Sequence, residues 1–499
     1  MGFLPLVLVL SVPLSAVADE FIGSAGPDAA PMTQPVAAAN SPVVKAYGGL
    51  PPAPQKPEAK SPSICDINYL DILFKDGVAI PYNLKHFNLY DVAIDWGGST
   101  LSLFRFNYND DKNKGIPDIT QRIQRWIMYL YSNVRYGEHL RYYVKLRNRY
   151  HFEDYDPVNN SNEGVNIDQM YGELNFEPFV FTAGRQFQKL GRGHVLRSVY
   201  DALKLTYSDD FLDVDLFSGK LIGSNQDVFL PYNRQQKHVY GVNVTYKEFK
   251  KHLLQGYITG VKDRSDDGLS NRDSHYEPVY FGAYGVGRYD LEKYRVKNIG
   301  YYGEMIRVIG FSNASDLGAP STFFGHEPIR AYLLDFGGIF RFDHVWRPEL
   351  ENEIMMGSGD NTVVAPLGRV NSVRRGNAAG SKDSNFRGID GFVNYGAALS
   401  PSDANLIIYK LSFDSKPIKR LTCGLDYFRY WKVKSKGVIS DIQGGLGHRE
   451  VGDEIDLRAE FEVNKFARLD TVYGHFFPGD AFANNDGEDL LQVILSYSF

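Results

Sequence analysis

The stretch LRYYVKLRNRY, residues 140–150, has two chemically different sides. Side chains alternate between the two faces of a β-strand, so even-numbered and odd-numbered residues would lie on opposite faces. The even positions are mostly apolar: Leu140, Tyr142, Val144, Leu146, Asn148 and Tyr150. The odd positions are mostly cationic: Arg141, Tyr143, Lys145, Arg147 and Arg149. We therefore predict a strand with one face toward an oily environment and the other toward an environment suited to positive charge.

The same alternation recurs in many segments after about residue 90 and is clearest near the end of the chain. In EIDLRAEFEV (454–463), Ile455, Leu457 and Phe461 would face away from the charged side chains between them. The last segment, LLQVILSYSF (490–499), alternates in the same way and ends on an aromatic residue. Most such segments exceed the ~5–6 residues usual for soluble strands and approach the length at which a tilted strand crosses a bilayer.

These patterns predict an all-β fold, a transmembrane antiparallel up-and-down β-barrel of about 18 strands, within a range of about 16–18. The 33 Tyr, 32 Phe and 48 Gly residues suit long strands, tight turns and aromatic girdles at the membrane interfaces. A soluble antiparallel β-protein, such as a propeller or a sandwich, would also alternate, but repeated charge on long strands favours the barrel. The aromatic C-terminus resembles the signal read by the outer-membrane barrel assembly machinery, which we expect as a partner.

The N-terminal part of the chain has a different composition. An apolar run followed by Ala-Val-Ala at 16–18 is typical of a secretory signal peptide, and the Pro- and Ala-rich stretch after it is typical of a flexible linker. The predicted division is a signal peptide at 1–18, a linker at 19–62, a short extension at 63–86 and the barrel at 87–499. No later apolar run approaches the ~20 residues of a transmembrane helix. We expect an integral barrel in the outer membrane of a Gram-negative bacterium.

Composition and motifs argue against several other functions. The net charge of −6 provides no basic field for nucleic acid, so we expect no nucleic-acid partner. Cys65 and Cys423 do not have the spacing of metal ligands, and we expect two separate thiols. The chain lacks the G-x-S-x-G, Walker A and H-E-x-x-H motifs, and GHEPIR (325–330) has no second histidine. We therefore expect no enzyme, no cofactor and no metal site.

Charged residues on the predicted lumen faces are the candidates for function. Four cations occupy one face of 141–149 without an intervening acid, and GRQFQKLGRGHVLR (184–197) adds further arginines. Cations that line a narrow passage attract and relay anions because the field is focused there. The predicted polyanion-binding residues are Arg141, Lys145, Arg147, Arg149, Arg185, Arg192, Arg197 and Arg458, with Glu460 as an acidic counter-charge. The alternative is that lumen charges only solubilise the wall and pair with each other.

Two long, polar, glycine-rich stretches interrupt the strand pattern. They are residues 261–290 and 360–391. Long connections of this kind between barrel strands either lie over the mouth or fold inward. We expect each stretch to be a loop at the mouth or in the lumen.

Three stretches carry more specific motifs. They are FTAGRQFQKLGRGHVLRSVYDALKLTY (181–207), DSNFRGIDGFVNYG (383–396) and residues 427–482, in which VGDEIDL is followed by FFPGDAF. Together they resemble the alginate export porin family of Gram-negative outer membranes. The resemblance covers about residues 181–499, and the C-terminal stretch is its most specific part.

The resemblance implies a monomeric barrel of about 18 strands whose arginine-rich constriction passes a polyuronate to the cell surface. It also implies partnership with a periplasmic helical-repeat scaffold and an inner-membrane polymerase. Carried over to this sequence, Arg185 in GRQ matches an arginine of the family, and Asp201 falls where the family carries an acid. Asp201 is therefore a second predicted acidic counter-charge in the lumen.

The resemblance also covers a loop that returns to the lumen, and it contains departures. Phe386 and Gly388 match this loop, and Arg387 between them is an additional cation, which we include among the predicted polyanion-binding residues. Arg197 stands where the family has an acid, and Asp470 stands where it has an arginine. These changes of sign fall within the predicted constriction.

Taken together, the sequence predicts a channel that passively exports an anionic polysaccharide, either alginate or an alginate-like polymer. The apolar face of 140–150 would meet lipid, and the cationic face would meet the anionic cargo. One alternative is a general or small-anion diffusion porin for solute uptake, which would pass small solutes without a loop closing the lumen. A second alternative is a soluble secreted β-protein that binds carbohydrate and fractionates without detergent.

Overall fold

The computed structural model is dominated by one β-sheet that closes on itself. The structure describes residues 85–109, 120–154, 161–221, 237–249, 251–263, 276–291, 295–315, 323–360, 382–390, 393, 395–440, 444–483 and 486–499. The predicted signal peptide, linker and most of the N-terminal extension, including Cys65, lie outside these residues. The predictions made for them stay predictions.

The sheet contains 19 strands, most of them long enough to cross a bilayer at a tilt. In chain order they are β1 (Lys85–Leu89), β2 (Val92–Tyr108), β3 (Thr120–Tyr136), β4 (Leu140–Glu153), β5 (Ser161–Phe176), β6 (Phe179–Lys189), β7 (Arg197–Ser208), β8 (Leu212–Leu221), β9 (Lys237–Tyr246), β10 (His252–Asp263), β11 (Tyr276–Asp290), β12 (Val296–Ser315), β13 (Phe323–Phe342), β14 (Glu349–Gly357), β15 (Leu406–Ile418), β16 (Leu421–Lys432), β17 (Glu450–Glu462), β18 (Ala467–Pro478) and β19 (Glu488–Ser498).

The ring is formed by β2 to β19. Each of these strands pairs in antiparallel fashion with the next one in the chain, and β19 pairs with β2, so 18 of the 19 strands form a closed barrel. The short strand β1 pairs with the start of β2, with Lys85 opposite Trp96. It lies on the same edge of β2 as β19, just beyond the residue at which β19 ends. The predicted barrel and its favoured number of strands are confirmed.

No helix in the described part of the chain has both the length and the apolar composition needed to cross a membrane.

The connections at the two ends of the barrel differ in length. At one end strands are joined by short turns, such as residues 137–139 and residues 419–420. At the other end the connections are long, such as residues 222–236 and residues 358–405. Outer-membrane barrels place short turns in the periplasm and long loops outside the cell. We assign the two ends of this barrel accordingly.

The alternation predicted for 140–150 is present in β4. Leu140, Tyr142 and Tyr150 are 44%, 39% and 43% exposed on the outer surface. Lys145 and Arg149, on the other face, point into the lumen and are only 3% and 7% exposed. Neighbouring lumen side chains cover them, as Tyr129 and Asp168 do for Lys145. The apolar face meets lipid, and the cationic face is turned inward.

The loop expected at 261–290 is shorter than predicted, because residues 276–290 form β11. The prediction was wrong because apolar residues occupy both faces of this strand and remove the alternation. Phe281 is 41% exposed toward lipid, whereas Tyr280 is buried in the lumen and donates its hydroxyl to the carbonyl of Arg387 at 2.6 Å. From residue 276 to residue 286 the lumen side of β11 packs against other parts of the protein rather than water, so its side chains there are apolar or aromatic.

Two segments fill part of the lumen. The crossing loop, residues 190–196, connects β6 to β7, and the lumen insert is the described part of residues 382–405 between β14 and β15. Leu190, Phe386 and Tyr395 from these segments are at most 1% exposed and belong to one apolar cluster inside the barrel. The inward fold expected for 360–391 is present at residues 382–390, whereas residues 361–381 lie outside the described part.

Candidate transport pathway

The lumen faces of β3 and β4 form a surface that we name the cationic wall. Its members are Arg125 and Arg135 on β3, and Arg141, Lys145, Arg147 and Arg149 on β4. The register brings them together, since Arg135 lies opposite Arg141. Alternate residues of a strand are about 6.6 Å apart, so Lys145, Arg147 and Arg149 form a regular ladder along the barrel.

Fewer carboxylates than cations face the lumen on this side of the ring. On β2 to β5 the described lumen-facing cations are Arg105, Arg125, Arg135, Arg141, Lys145, Arg147 and Arg149, and the carboxylates are Asp95, Glu153, Asp168 and Glu173. Asp168 is shared, because Lys145 Nζ lies 3.0 Å from one of its oxygens and Arg147 Nη1 lies 3.4 Å from the other. Sharing one carboxylate between two cations leaves the wall positive.

Tyrosines alternate with the cations of this wall. Lys145 Nζ lies 4.3 Å from the centre of the Tyr129 ring, which is a cation–π contact. Tyr143 and Tyr171 pack with their ring centres 5.3 Å apart. The rings add surface of low polarity beside the cations, and fixed charges act more strongly on an anion next to such surface than in bulk solvent.

The lumen face on the other side of the ring is acidic. Its buried carboxylates include Glu304 on β12, Asp335 on β13, Glu353 on β14, Asp426 on β16, and Glu454 and Asp456 on β17. The crossing loop and the lumen insert lie against this face. Their contacts explain how so many acids are accommodated together.

The crossing loop is held across the barrel by Arg192. Its guanidinium contacts the Asp335 carboxylate and lies 2.5 Å from Glu353 Oε1, while its backbone N–H donates to Glu304 Oε2 at 2.9 Å. Gly191 precedes it with a φ of 55°, and a Cβ at this position would lie 1.8 Å from Glu304 Oε1. Glycine is therefore required for the loop to approach the acidic face so closely.

The lumen insert covers the acids of β17 with backbone donors. Ala397 N–H donates to Asp456 Oδ2 at 2.8 Å, and Ala398 N–H donates to Glu454 Oε1 at 2.6 Å. Leu399 N–H donates to the second oxygen of Glu454 at 3.2 Å. Buried carboxylates need such donors, and the insert supplies them while shielding these acids from the lumen.

Three predicted site residues belong to the two inward segments or lie beside them. Arg192 anchors the crossing loop, as described above. Arg197, 2% exposed, begins β7, and its backbone N–H donates to the carbonyl of Asp390 in the lumen insert at 3.1 Å. Arg387 Nη2 lies 3.2 Å from Asp383 Oδ2 within that insert. These arginines thus help to hold the crossing loop and the lumen insert in place. Their contact with a polyanion stays a prediction.

Arg458 and Glu460 lie on the lumen face of β17. Arg458 Nε is 2.5 Å from Asp426 Oδ2, and its Nη2 is 3.2 Å from Asp414 Oδ1. Glu460 lies opposite Asp470 of β18. Arg458 is thus held between acids of neighbouring strands, and the binding role predicted for it remains a prediction.

The predicted lumen position of Arg185 and Asp201 is wrong. Arg185 lies opposite Asp201, and both share the outward face with Phe181 and Leu203, which are 39% and 57% exposed. Two hydrogen bonds, of 3.0 and 3.3 Å, join the guanidinium to the carboxylate, so the pair neutralises itself on the outer surface. The motif resemblance located these residues in the chain, but the parity of β6 and β7 decides which way they point.

Sequence reasoning missed Arg125 and Arg135. Both lie in RWIMYLYSNVRY (125–136), the second part of β3. They share the lumen face of this strand with Tyr129 and Tyr131, which are 3% and 9% exposed. Applying the alternation of β4 to the strand before it would have found them. The anchoring role of Arg192 had no such signal, because its partners are more than a hundred residues away in the chain.

His194 is a second anchor of the crossing loop. Its Nε2 lies 2.9 Å from Asp335 and its Nδ1 lies 2.8 Å from Asp403. Arg192 shares the Asp335 carboxylate, and Glu304 is a further charge nearby. Burial alone would lower the pKa of this imidazole, but the charge of Asp403 and the hydrogen bonds to Asp335 and Asp403 raise it to about 10. His194 therefore bridges the loop and the insert as a cation at neutral pH.

This raised pKa predicts how the anchor responds to pH. Stability from a raised pKa is fully present below the ordinary value of about 6.5 and is lost as pH rises through the folded value. We expect single-channel conductance to stay constant from about pH 6 to about pH 8 and to change near pH 10, as the imidazolium loses its proton. His194→Gln, which removes the charge but keeps a polar side chain, should abolish the transition near pH 10. An unchanged transition in this variant would assign it to another group.

The charges along the pathway can bind and release an anion. Among the residues that the structure describes, no group of His, Cys, Asp and Glu is arranged to hold a metal ion. The cationic wall offers fixed positive charge and aromatic surface along the lumen. Such an arrangement holds anions without making or breaking bonds.

Comparison with known proteins agrees with this geometry. The barrel is similar to OccAB4 of Acinetobacter baumannii, with 10% identity and a TM-score of 0.51 over 84% of this chain and 100% of that one. It is also similar to OpdL of Pseudomonas aeruginosa, with 12% identity and a TM-score of 0.51 over 81% and 98% of the two chains. No curated protein matches this chain by sequence. The model of the family described as alginate export matches residues 101–495, so this outer-membrane barrel belongs to the alginate export family.

Proposed function

We propose that this outer-membrane channel passively exports an anionic polysaccharide, alginate or an alginate-like polymer, along the cationic wall. The observation that carries the proposal is the length of the wall. The β4 ladder from Arg141 to Arg149 spans about 26 Å at ~3.3 Å per residue. A chain with one carboxylate on each sugar contacts several of these cations at once, whereas a small anion contacts one or two.

Transport also requires release, and the wall contains the groups for it. A pore conducts only when each site binds weakly enough to let its occupant leave. Asp168 competes for Lys145 and Arg147, so a uronate carboxylate that binds there exchanges with a carboxylate of the protein. The tyrosine rings between the cations offer flat surfaces for the apolar faces of the sugars.

The proposal includes a direction and partners. In a Gram-negative cell the polymer would enter at the short-turn end of the barrel, where we place the helical-repeat scaffold implied by the family resemblance. The whole pathway lies inside one ring of strands, so a monomer suffices for transport. No step consumes energy in the channel itself.

A second candidate is a diffusion porin that takes up small anions. The same excess of positive charge on β2 to β5 would favour any anion over a cation. The two candidates differ in how the affinity of the channel depends on the length of the anion.

Blocking experiments with oligomers of increasing length test the proposal. We expect alginate oligomers to block the current of the purified protein in a planar bilayer, with a blocking concentration that falls steeply with oligomer length. This follows because each added sugar reaches a further rung of the ladder, and each charged hydrogen bond adds about 1.5–3 kcal/mol before ordering costs. Neutral polysaccharide of the same length is the control and should not block.

Two outcomes would contradict export of a polymer. If uronate monomers carry current while oligomers neither block nor enter, the barrel is a small-anion porin. If charged and neutral oligomers block equally, then the lumen does not select polymers by charge and the cationic wall plays no part in selection.

A further inference from the structure

The outer surface of the barrel contains an apolar groove of about 680 Å³ across β9 to β13. Its lining is almost wholly apolar and includes Val244, Ile258, Phe281, Met305, Leu334 and Tyr332. These residues face outward, and Ile258, Phe281 and Met305 are 50%, 41% and 51% exposed. The groove therefore opens toward the hydrocarbon of the bilayer and not toward the lumen.

Small residues create this groove. Gly256 and Ala283 lie opposite each other on β10 and β11, between taller neighbours such as Ile258 and Phe281. A Cβ built at Gly256 has no heavy atom within 4 Å. The groove is therefore open at this position and is about as wide as one side chain. An acyl chain can fill a space of this width.

Two arginines lie at the upper side of this groove. Arg307 on β12 lines it and lies opposite Tyr332, while Arg330 on β13 lies opposite Ile309, one step higher. Diagonal neighbours of this kind have side-chain origins about 7–8 Å apart, a separation that one phosphate can bridge. Both side chains are exposed, and neither guanidinium forms a salt bridge with another described side chain.

The height of these arginines matches a lipid headgroup. From Ile299 to Arg307 the strand climbs about 20 Å, taking ~3.3 Å per residue and a tilt of ~40°, against an apolar band of about 25 Å. Arg307 therefore lies in the upper part of the band, and Arg330, one step higher, lies closer to its long-loop boundary. Long arginine side chains at this depth extend toward the interface, where phosphates are found.

We propose that this face is a binding site for a phosphorylated lipid of the outer leaflet. One acyl chain lies in the groove over Gly256 and Ala283, and the phosphate bridges Arg307 and Arg330. Uncharged lipids would fill the groove but would leave two guanidinium groups without an anion. The charge and the shape together select an anionic lipid with at least one long chain.

Native mass spectrometry of the full chain in detergent tests this site. The probes are a bisphosphorylated lipid A, the same lipid without phosphates, and inorganic phosphate alone. We expect the phosphorylated lipid to bind at least about tenfold more tightly than the dephosphorylated one, since charge-assisted hydrogen bonds are lost with the phosphates. Equal binding of the two lipids would overturn the proposal, and displacement of the lipid by inorganic phosphate alone would show an ion site instead.

Variants separate the two halves of the site. Arg307→Gln with Arg330→Gln should reduce binding of the phosphorylated lipid to the level of the dephosphorylated one, whereas Gly256→Leu should weaken both lipids by filling the groove. Arg429→Gln is the matched control, since Arg429 faces outward on β16 and pairs with Glu450 at 2.8 Å. Heat-modifiable migration in electrophoresis reports whether each barrel is folded. Unchanged lipid binding in both the double arginine variant and Gly256→Leu would refute the site.

Discussion

Reversing two charges of the cationic wall, with Arg147→Glu and Arg149→Glu, is expected to weaken block by alginate oligomers at least about 100-fold. Each lost charge-assisted hydrogen bond costs about 1.5–3 kcal/mol, and the new carboxylates repel the polymer. The same change should shift the reversal potential in a salt gradient toward cation preference, because the field in the lumen changes sign locally. Both quantities are measured on single channels in a planar bilayer.

Two controls distinguish charge from shape in this experiment. Arg147→Lys with Arg149→Lys keeps both charges, so most of the block should remain, although lysine contacts a carboxylate less specifically. Arg429→Glu makes a charge reversal on the outer face of β16 and should leave block unchanged. An unaltered blocking concentration in the double glutamate variant would show that the polymer does not pass along β4.

The barrel was predictable from the sequence because lipid imposes one rule on every strand. Outward positions must be apolar, and a lumen filled with water and charge permits polar residues at the positions between them. This rule located β4 and β19 and their faces without reference to other parts of the chain. It failed at β11, whose lumen side packs against the insert, so that Tyr280 stands where a polar residue was expected.

The candidate site was predictable only where it follows the same parity. The ladder on β4 met this condition, and Arg125 and Arg135 on β3 met it too, although they were missed. Arg185 was misplaced because a motif gives a position in the chain but not the direction of its side chain. Contacts such as Arg192 with Asp335 and Glu353 depend on how a loop crosses the barrel, and no local pattern encodes that crossing.

Removing the lumen insert should have the second large effect, an increase of the conductance by severalfold together with a change to cation preference. The insert belongs to the connection between β14 and β15, and the ends of this connection are close, since Asn405 N–H donates to the carbonyl of Ser358 at 3.1 Å. Residues 359–404 can therefore be replaced by a short Gly-Ser turn that keeps the pairing of β14 with β15. Conductance and reversal potential in a salt gradient measure the result.

The expected change of selectivity follows from what the insert covers. Without it, Glu454 and Asp456 lose the backbone donors of residues 397–399 and face water, where carboxylates are ionised at neutral pH. The acidic face would then act on ions directly, and its charge would compete with that of β3 and β4. The insert thus determines which of two oppositely charged faces the cargo meets.

A second variant separates this effect from simple widening. The same excision with Glu454→Gln and Asp456→Asn should keep the larger conductance but lose the preference for cations, because the opened space is then neutral. If the excised channel instead retains the wild-type ion preference, the insert does not shield these acids from the pathway. Anion selection would then depend on the cationic wall alone, and the acidic face would serve only to hold the crossing loop in place.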